Sequence, residues 1–341
     1  MMELKIHQFD LPLLHPFTIS RESITVQPTI IVELIQDGVS GYGESTTNAY
    51  YGVTEQSLRD SLQQVRALIE STEMSTPGEL WFAANELLDD TFALCALDLA
   101  AHDLWGKLQG APVHQLWGFS TDANPVSNYT IGIDDIDVMI AKMAEFSDWP
   151  IYKIKLGTDQ DIDIVRALRE HTDAVFRVDA NCAWTAEQTI ANSGPLKSLG
   201  VEFIEQPLAA DAIDQMPAVF AHSELPLIAD ENCLVLDDIQ RCSGRFHGIN
   251  IKLVKCGGLT PARQMIELAR QNDLKVMVGC MTESTVGISA IAQILPLLDY
   301  VDMDGAALLK SDIAAGCQVV NGVCQYPLTS GNGVTLNSNR D

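Results

Sequence analysis

The chain has 341 residues, 47% hydrophobic and 20% charged, so it can bury one large core or two smaller ones. Its 46 acidic against 21 basic residues give a net charge of −25 with no offsetting basic cluster, which excludes nucleic acid and anionic membranes as expected partners. No apolar run approaches the ~20 residues that span a bilayer, and the start, MMELKIHQFDLPLL, lacks a secretory-signal pattern; a cytoplasmic protein is expected.

Residues 3–10 and 29–36 (TIIVELIQ) read as strands, and QDGVSGYGE as a turn entering a further strand. Helical patterns follow over 55–70 and 78–109. The second is apolar on several faces, which predicts packed helices with a break between them. This first part is therefore α+β, closed by Gly110, Pro112 and Gly118, with STDANPVS as a linker. The eight cysteines are scattered without a CxxC pair, which predicts reduced packing residues rather than zinc ligands.

From about residue 127 the pattern changes. Short apolar runs (SNYTIGI, IYKIK, VFRVD, VEFIE, PLIAD, GINIK, LKVMV and YVDMD) alternate with amphipathic stretches such as DIDIVRALREH. Polar residues punctuate the run ends: Lys155, Asp179, Glu205, Asp230, Lys252, Cys280 and Asp302, spaced about 25 residues apart. That spacing holds one strand, one helix and two short loops, and eight such units predict a (β/α)-barrel. A doubly wound sheet is the alternative, but the Gly-rich phosphate turn of its dinucleotide-binding form is missing.

In a barrel the strand ends converge on one face, where the chemistry sits. Asp179, Glu205 and Asp230 would stand side by side there and repel unless a cation lay between them. Mg²⁺ suits three carboxylates with positions left for substrate oxygens, and Mn²⁺ would also fit. Lys155 and Lys252 flank the acids, so a substrate on the metal would have an amine at each face of one carbon. Lys153, two residues from Lys155, shares its face and either supports it or touches a substrate carboxylate. A lysine near a divalent cation and a second lysine has its pKa pushed down and can take a proton from a carbon acid; the opposite ammonium can return one. Racemisation or epimerisation is the natural outcome.

These motifs resemble the enolase superfamily along nearly the whole chain: YKIKLG, RVDANCAW, FIEQP, IADE, NIKLVKCGG and MVGCMTES, with ALDLAAHDLWGKLQGAPVHQLWG similar to the end of its capping domain. The resemblance implies an α/β fold, a modified TIM (β/α)-barrel with an N-terminal α+β capping domain completed by the C-terminal tail. The divisions expected are 1–120 for the cap, with lid loops at 15–26 and 46–54, 121–310 for the barrel, and 311–341 for the returning segment. The KxK pattern with a lysine on the sixth barrel strand is similar to the muconate-lactonising-like subgroup, and implies proton transfer between Lys155 and Lys252 through a metal-stabilised enolate.

YVDMDGAAL carries Asp302 and Asp304 two apart, more acids than the metal needs. This DxD resembles the dipeptide epimerases (the L-Ala-D/L-Glu epimerase family), where it holds the dipeptide's α-ammonium while the second residue's Cα is inverted. Thr130, Cys280 and Thr282 match substrate-contacting positions of that family. Side-chain choice would come from the lid loops: Glu22 facing the pocket would favour a cationic side chain and Arg21 an acidic one, while Tyr51 contributes to specificity or to lid packing. The substrate is a small molecule, and a homo-oligomer is expected.

Rival readings use the same lysines and metal: an o-succinylbenzoate synthase, a cycloisomerase or an N-acyl amino acid racemase, none of which needs the DxD. A sugar-acid dehydratase would add a His/Asp pair, whereas His222 and His247 fall away from strand ends. A non-catalytic relative would have no reason to keep all five charged centres.

Overall fold

Two long strands, β1 (Glu3–Ile19) and β2 (Glu22–Gln36), pair antiparallel around a tight turn at Ser20 and Arg21, and β3 (Val39–Thr46) adds to β2. The computed structural model describes residues 1–337. Segment 15–26, expected as a loop, is instead mostly strand. Its register shifts between Pro12 and Phe17, and pairing with β2 then resumes up to the turn. Cross-strand pairing overrides the turn-like local composition here. The second expected lid segment is a bridged turn, with backbone hydrogen bonds joining Asn48 and Val53 in both directions.

Helices α1 (Glu55–Gln64), α2 (Arg66–Ser71), α3 (Pro77–Asn85), α4 (Thr91–Gln109) and α5 (Val113–Leu116) follow, so the predicted break falls between α3 and α4. Asp90 caps α4 by accepting from the Ala93 amide, and Gly110 ends it at φ 73°, a conformation glycine adopts without strain. Almost every face of α4 is buried, because it lies between the three-stranded sheet and the barrel helices. Two glycines permit that closeness: a Cβ on Gly41 would stand 2.3 Å from the Leu104 nitrogen, and one on Gly43 2.1 Å from the Ala96 carbonyl.

The barrel strands are β4 (Tyr129–Ile131), β5 (Ile151–Lys155), β6 (Val175–Asp179), β7 (Val201–Glu205), β8 (Leu227–Ala229), β9 (Gly248–Ile251), β10 (Lys275–Gly279) and β11 (Tyr300–Asp302). Each pairs parallel with the next in chain order. A bridge between Ser127 and Val301, reinforced by the Met303 amide donating to Ser127 Oγ at 2.9 Å, joins the last strand to the first. Between strands run α6 (Ile136–Glu145), α7 (Asp161–Arg169), α8 (Ala186–Ser198), α9 (Met216–His222), α10 (Asp238–Cys242), α11 (Leu253–Cys256), α12 (Leu259–Gln271) and α13 (Thr285–Ala292). This is a modified TIM barrel with helices outside and a packed interior.

The cap is fastened to the barrel by polar contacts. Glu44 on β3 accepts from the amides of Ser284 and Gly287 at the start of α13, and from the Ser284 hydroxyl. A carboxylate at a helix N-terminus is well suited to its dipole. On α4, Asp98 accepts from the amide and hydroxyl of Thr260 on α12. Beyond the barrel, the Lys310 amide donates to Pro12, Asn332 to Asp103 on α4, and Lys107 reaches the Val334 carbonyl, so the tail returns to the cap. The final positions of the expected returning segment, 338–341, lie outside the described residues.

Candidate active site

Strand register sets the order of charges at the barrel mouth. Lys155 pairs with Asp179 across β5 and β6, and Asp179 with Glu205 across β6 and β7; Asp230 and Lys252 stand one residue beyond β8 and β9. Asp179, Glu205 and Asp230 each offer an oxygen within 4.8 Å of the others, and all three are buried. Each acid has its second oxygen held from within the chain. Asp179 Oδ1 accepts from the Asn181 amide at 2.9 Å, Glu205 Oε1 from Asn250 Nδ2 at 2.8 Å, and Asp230 Oδ1 from Lys255.

The remaining oxygens face lysines. Lys155 Nζ is 2.7 Å from Asp179 Oδ2, and Lys252 Nζ is 3.0 Å from Asp230 Oδ2. Lys153 Nζ lies 2.8 Å from Glu205 Oε2, 2.9 Å from Asp302 Oδ2 and 3.1 Å from Asp179 Oδ2. Glu205 Oε2 nevertheless accepts no well-directed hydrogen bond. Three converging carboxylates, one with an unmatched buried oxygen, form an all-oxygen donor set that fits a hard divalent cation.

Electrostatics follow from this crowding. Burial pushes the Glu205 carboxyl up to about 7, with Asp179 adding to the effect. Burial opposes charge at Asp230 and Asp179 too, but Lys252 and Lys255 outweigh it at Asp230, and Lys155 and Lys153 at Asp179; both stay below the usual carboxylate range. Lys252 is likewise desolvated, yet Asp230 holds its pKa above the ordinary lysine value. The expected downward shift therefore requires the acids' charge to be taken up by a cation.

Asp302 and Asp304 converge with Cys280 on one point, their ligating atoms within 4.8 Å of each other. Asn128 Nδ2 donates to Asp302 Oδ1 at 2.7 Å, and the Thr130 amide to Asp304 Oδ2 at 2.6 Å. Burial disfavours the Asp302 carboxylate, but Lys153 outweighs it and the carboxyl is drawn down to about 2. Burial and then the Asp302 charge push Asp304 well above the usual range.

Apart from the three acids, every site residue expected from the sequence lines one cavity of about 90 Å³, with Thr282 and Tyr51 among its walls. Arg21 and Glu22 both reach it from the β1–β2 turn. A larger crevice of about 910 Å³, between α3, α4 and α12, contains none of the strand-end charges. His222 Nδ1 donates to the Ala218 carbonyl on its own helix, and His247 stacks on Phe220 and accepts from the Leu227 amide. Neither approaches the site.

Sequence reasoning missed Lys255, Asn250 and Asn128, and placed Glu231 in the IADE motif without a role. Lys255 stands inside NIKLVKCGG, and Asn250 precedes Lys252 by two, so period-2 alternation gave a usable signal for Asn250 alone. Residues with left-handed backbone follow the acids: Asn181 (φ 44°), Cys182 (φ 69°) and Gln206 (φ 32°). Such strain clusters at functional sites.

Such a barrel mouth, three acids between two lysines beneath an α+β cap, defines an enolase-like protein. The family described as enolase C-terminal domain-like matches residues 138–340, and the mandelate racemase / muconate lactonizing enzyme N-terminal domain matches 1–118; the chain belongs to the mandelate racemase / muconate lactonizing enzyme family. It is 55% identical over 336 residues to an L-Ala-D/L-amino acid epimerase of Flavobacterium johnsoniae, covering 98% of this chain and all of that one. It is 39% identical over 323 residues to an L-Ala-D/L-Glu epimerase of Bacteroides thetaiotaomicron, covering 94% and 84%. A solved dipeptide epimerase of Methylococcus capsulatus, complexed with Mg and L-Arg-D-Lys, superposes with a TM-score of 0.90 at 29% identity, covering 97% and 98%.

Proposed function

We propose that the chain is a Mg²⁺-dependent dipeptide epimerase that inverts the Cα of the second residue of an L,L-dipeptide by proton transfer between Lys155 and Lys252. One observation carries the reading: the two lysines flank the three-acid cluster while the separate Asp302–Asp304 pair sits beside it, sized for an ammonium. The epimerase relatives, and the Mg and dipeptide of the Methylococcus capsulatus structure, support it.

Asp179, Glu205 and Asp230 would hold the cation, which supplies Lewis-acid stabilisation of negative charge on a substrate carboxylate oxygen. One lysine takes the Cα proton and the other returns a proton to the opposite face. Asp302 and Asp304 bind the dipeptide's α-ammonium, whose positive charge favours the ionised form of both acids. Lys153, fixed between the two acidic groups, keeps their charges apart and balanced. Arg21 is engaged with Glu231, so Glu22 and the apolar walls Phe17, Ile19 and Ile24 are left to meet the second side chain. A neutral or cationic second residue is the preferred substrate class.

The division into 1–120, 121–310 and 311–341, a homo-oligomeric state and a cytoplasmic location complete the proposal; eight free cysteines agree with the last. The test is proton NMR in D₂O with Mg²⁺ and pooled L,L-dipeptides bearing acidic, cationic or apolar second residues. Loss of the second Cα–H signal with appearance of the L,D diastereomer is expected. No exchange in any pool with metal bound, and exchange of N-acyl amino acids instead, would overturn the dipeptide reading in favour of the N-acyl amino acid racemase.

A further inference from the structure

Of the three groups that hold the outer oxygens of the acidic cluster, only Lys255 is charged. It lies on α11, three residues beyond Lys252, and only 3% of it is exposed. Its ammonium meets Asp230 Oδ1, the Asp230 carbonyl at 2.7 Å, the Cys233 carbonyl at 3.0 Å and the Asn250 carbonyl at 3.2 Å. Four acceptors around three hydrogens leave it nothing to offer a substrate. Lys252, in contrast, reaches the other oxygen of the same carboxylate and lines the cavity.

We propose that Lys255 is a positioning residue that fixes Asp230 as a one-oxygen metal ligand. Holding Oδ1 leaves Oδ2 alone turned toward the cation and Lys252. A carboxylate without that restraint can rotate about its terminal bond, or present both oxygens and take a coordination position that a substrate oxygen needs. The carbonyl contacts serve the same end, because they tie the segment after β8 to the end of β9 and so fix Asp230 relative to Lys252. The end of its short helix is tied to the cap, where Trp81 on α3 donates to the Gly257 carbonyl at 2.7 Å, immediately after α11. The inference rests on the metal site proposed above and adds to it a residue outside the ligand set.

Lys255→Met keeps the length of the side chain and removes its charge and donors. Mn²⁺, a paramagnetic stand-in for Mg²⁺, is titrated into the variant and the unaltered chain and followed by electron paramagnetic resonance, with far-UV circular dichroism confirming the fold. Loss of about tenfold or more in Mn²⁺ affinity by a folded variant is expected, with an altered spectrum of the bound ion. A folded variant with lowered thermal stability but Mn²⁺ affinity within twofold would make Lys255 a staple of the fold and overturn the proposal. Should the variant not fold, a crystal structure of the unaltered chain with Mg²⁺ decides. Ligation through Oδ2 alone, with Lys255 still on Oδ1, supports the proposal; bidentate ligation or ligation through Oδ1 overturns it. None of these readouts needs a dipeptide, so a chain that binds the ion but fails the exchange test leaves them intact, and one that binds no ion overturns both readings.

Discussion

Arg21 and Glu231 join the β1–β2 turn to the barrel mouth, with Arg21 Nη2 2.7 Å from Glu231 Oε1. The guanidinium also donates to the Asn181 carbonyl at 3.3 Å and stacks on the Tyr50 ring at 4.2 Å. Glu231 directly follows the acid Asp230, and its side chain is almost wholly buried. The cation of the β1–β2 turn is therefore bound to the barrel in an ion pair and is not free for a substrate carboxylate.

The first prediction concerns specificity. With Arg21 engaged and Glu22 facing the cavity, an acidic second residue meets like charge and no free cation. Dipeptides with a neutral or cationic second residue should exceed L-Ala-L-Glu in kcat/KM by about tenfold, the effect of roughly 1.4 kcal/mol. Steady-state assays on matched dipeptides check this. Equal or faster turnover of L-Ala-L-Glu would mean that Arg21 leaves Glu231 to meet the substrate.

The second concerns the lysines. A single general acid or base contributes about 10²–10⁴ in rate, and inversion needs both faces served. Lys155→Ala and Lys252→Ala should each lower epimerisation about a thousandfold or more. In D₂O each variant should still exchange the Cα–H of one diastereomer, and the two variants should serve opposite ones. Exchange of the same diastereomer by both would remove the two-lysine mechanism.

The third concerns the ammonium cradle. Asp304→Asn preserves shape and the hydrogen bond from the Thr130 amide while removing the charge an ammonium would call forth. Hydrogen bonds to charged groups contribute about 1.5–3 kcal/mol, so KM for free dipeptides should rise at least about tenfold with a smaller change in kcat. N-acetylated dipeptides should be poor substrates of the unaltered chain. Unchanged KM in the variant would detach the DxD from substrate binding.

The strand-end charges were legible because sequential parallel strands make neighbours in sequence order neighbours in space: Lys155, Asp179, Glu205, Asp230 and Lys252 needed only their spacing. Asn250 shares the alternation that ends at Lys252 and was within reach of the same reasoning. Lys255 was not, since it lies on a helical turn where strand periodicity has lapsed, and its partners Asp230 and Cys233 come from another strand's end. Segment 15–26 was expected as a lid loop from the family resemblance, which carries no account of local pairing; its pairing with β2 makes most of it strand. Arg21 and Glu22, adjacent in sequence, both border the cavity, and what separates them is the distant partner Glu231, which sequence spacing does not reveal.

The fourth prediction concerns pH. Glu283 accepts from the Met281 amide at 2.8 Å in a buried position. Burial, and then the charge of Glu44, push its carboxyl up to about 8. Its folded pKa thus lies above its unfolded value, so the folded chain keeps a proton that the unfolded chain releases between about pH 4.5 and 8. Stability from this group is complete below that window and is lost as pH rises through it. Glu283→Gln carries no titrating proton and escapes the loss. The thermal midpoint of the variant relative to the unaltered chain should therefore climb between pH 5 and pH 8.5, by the equivalent of roughly 4 kcal/mol. Titrating groups away from this junction are common to both chains and cancel, so the difference reports Glu283 together with its coupled neighbour Glu44. A gap that stays flat with pH would mean that Glu283 ionises at its ordinary value and that the junction with Glu44 tolerates two buried charges.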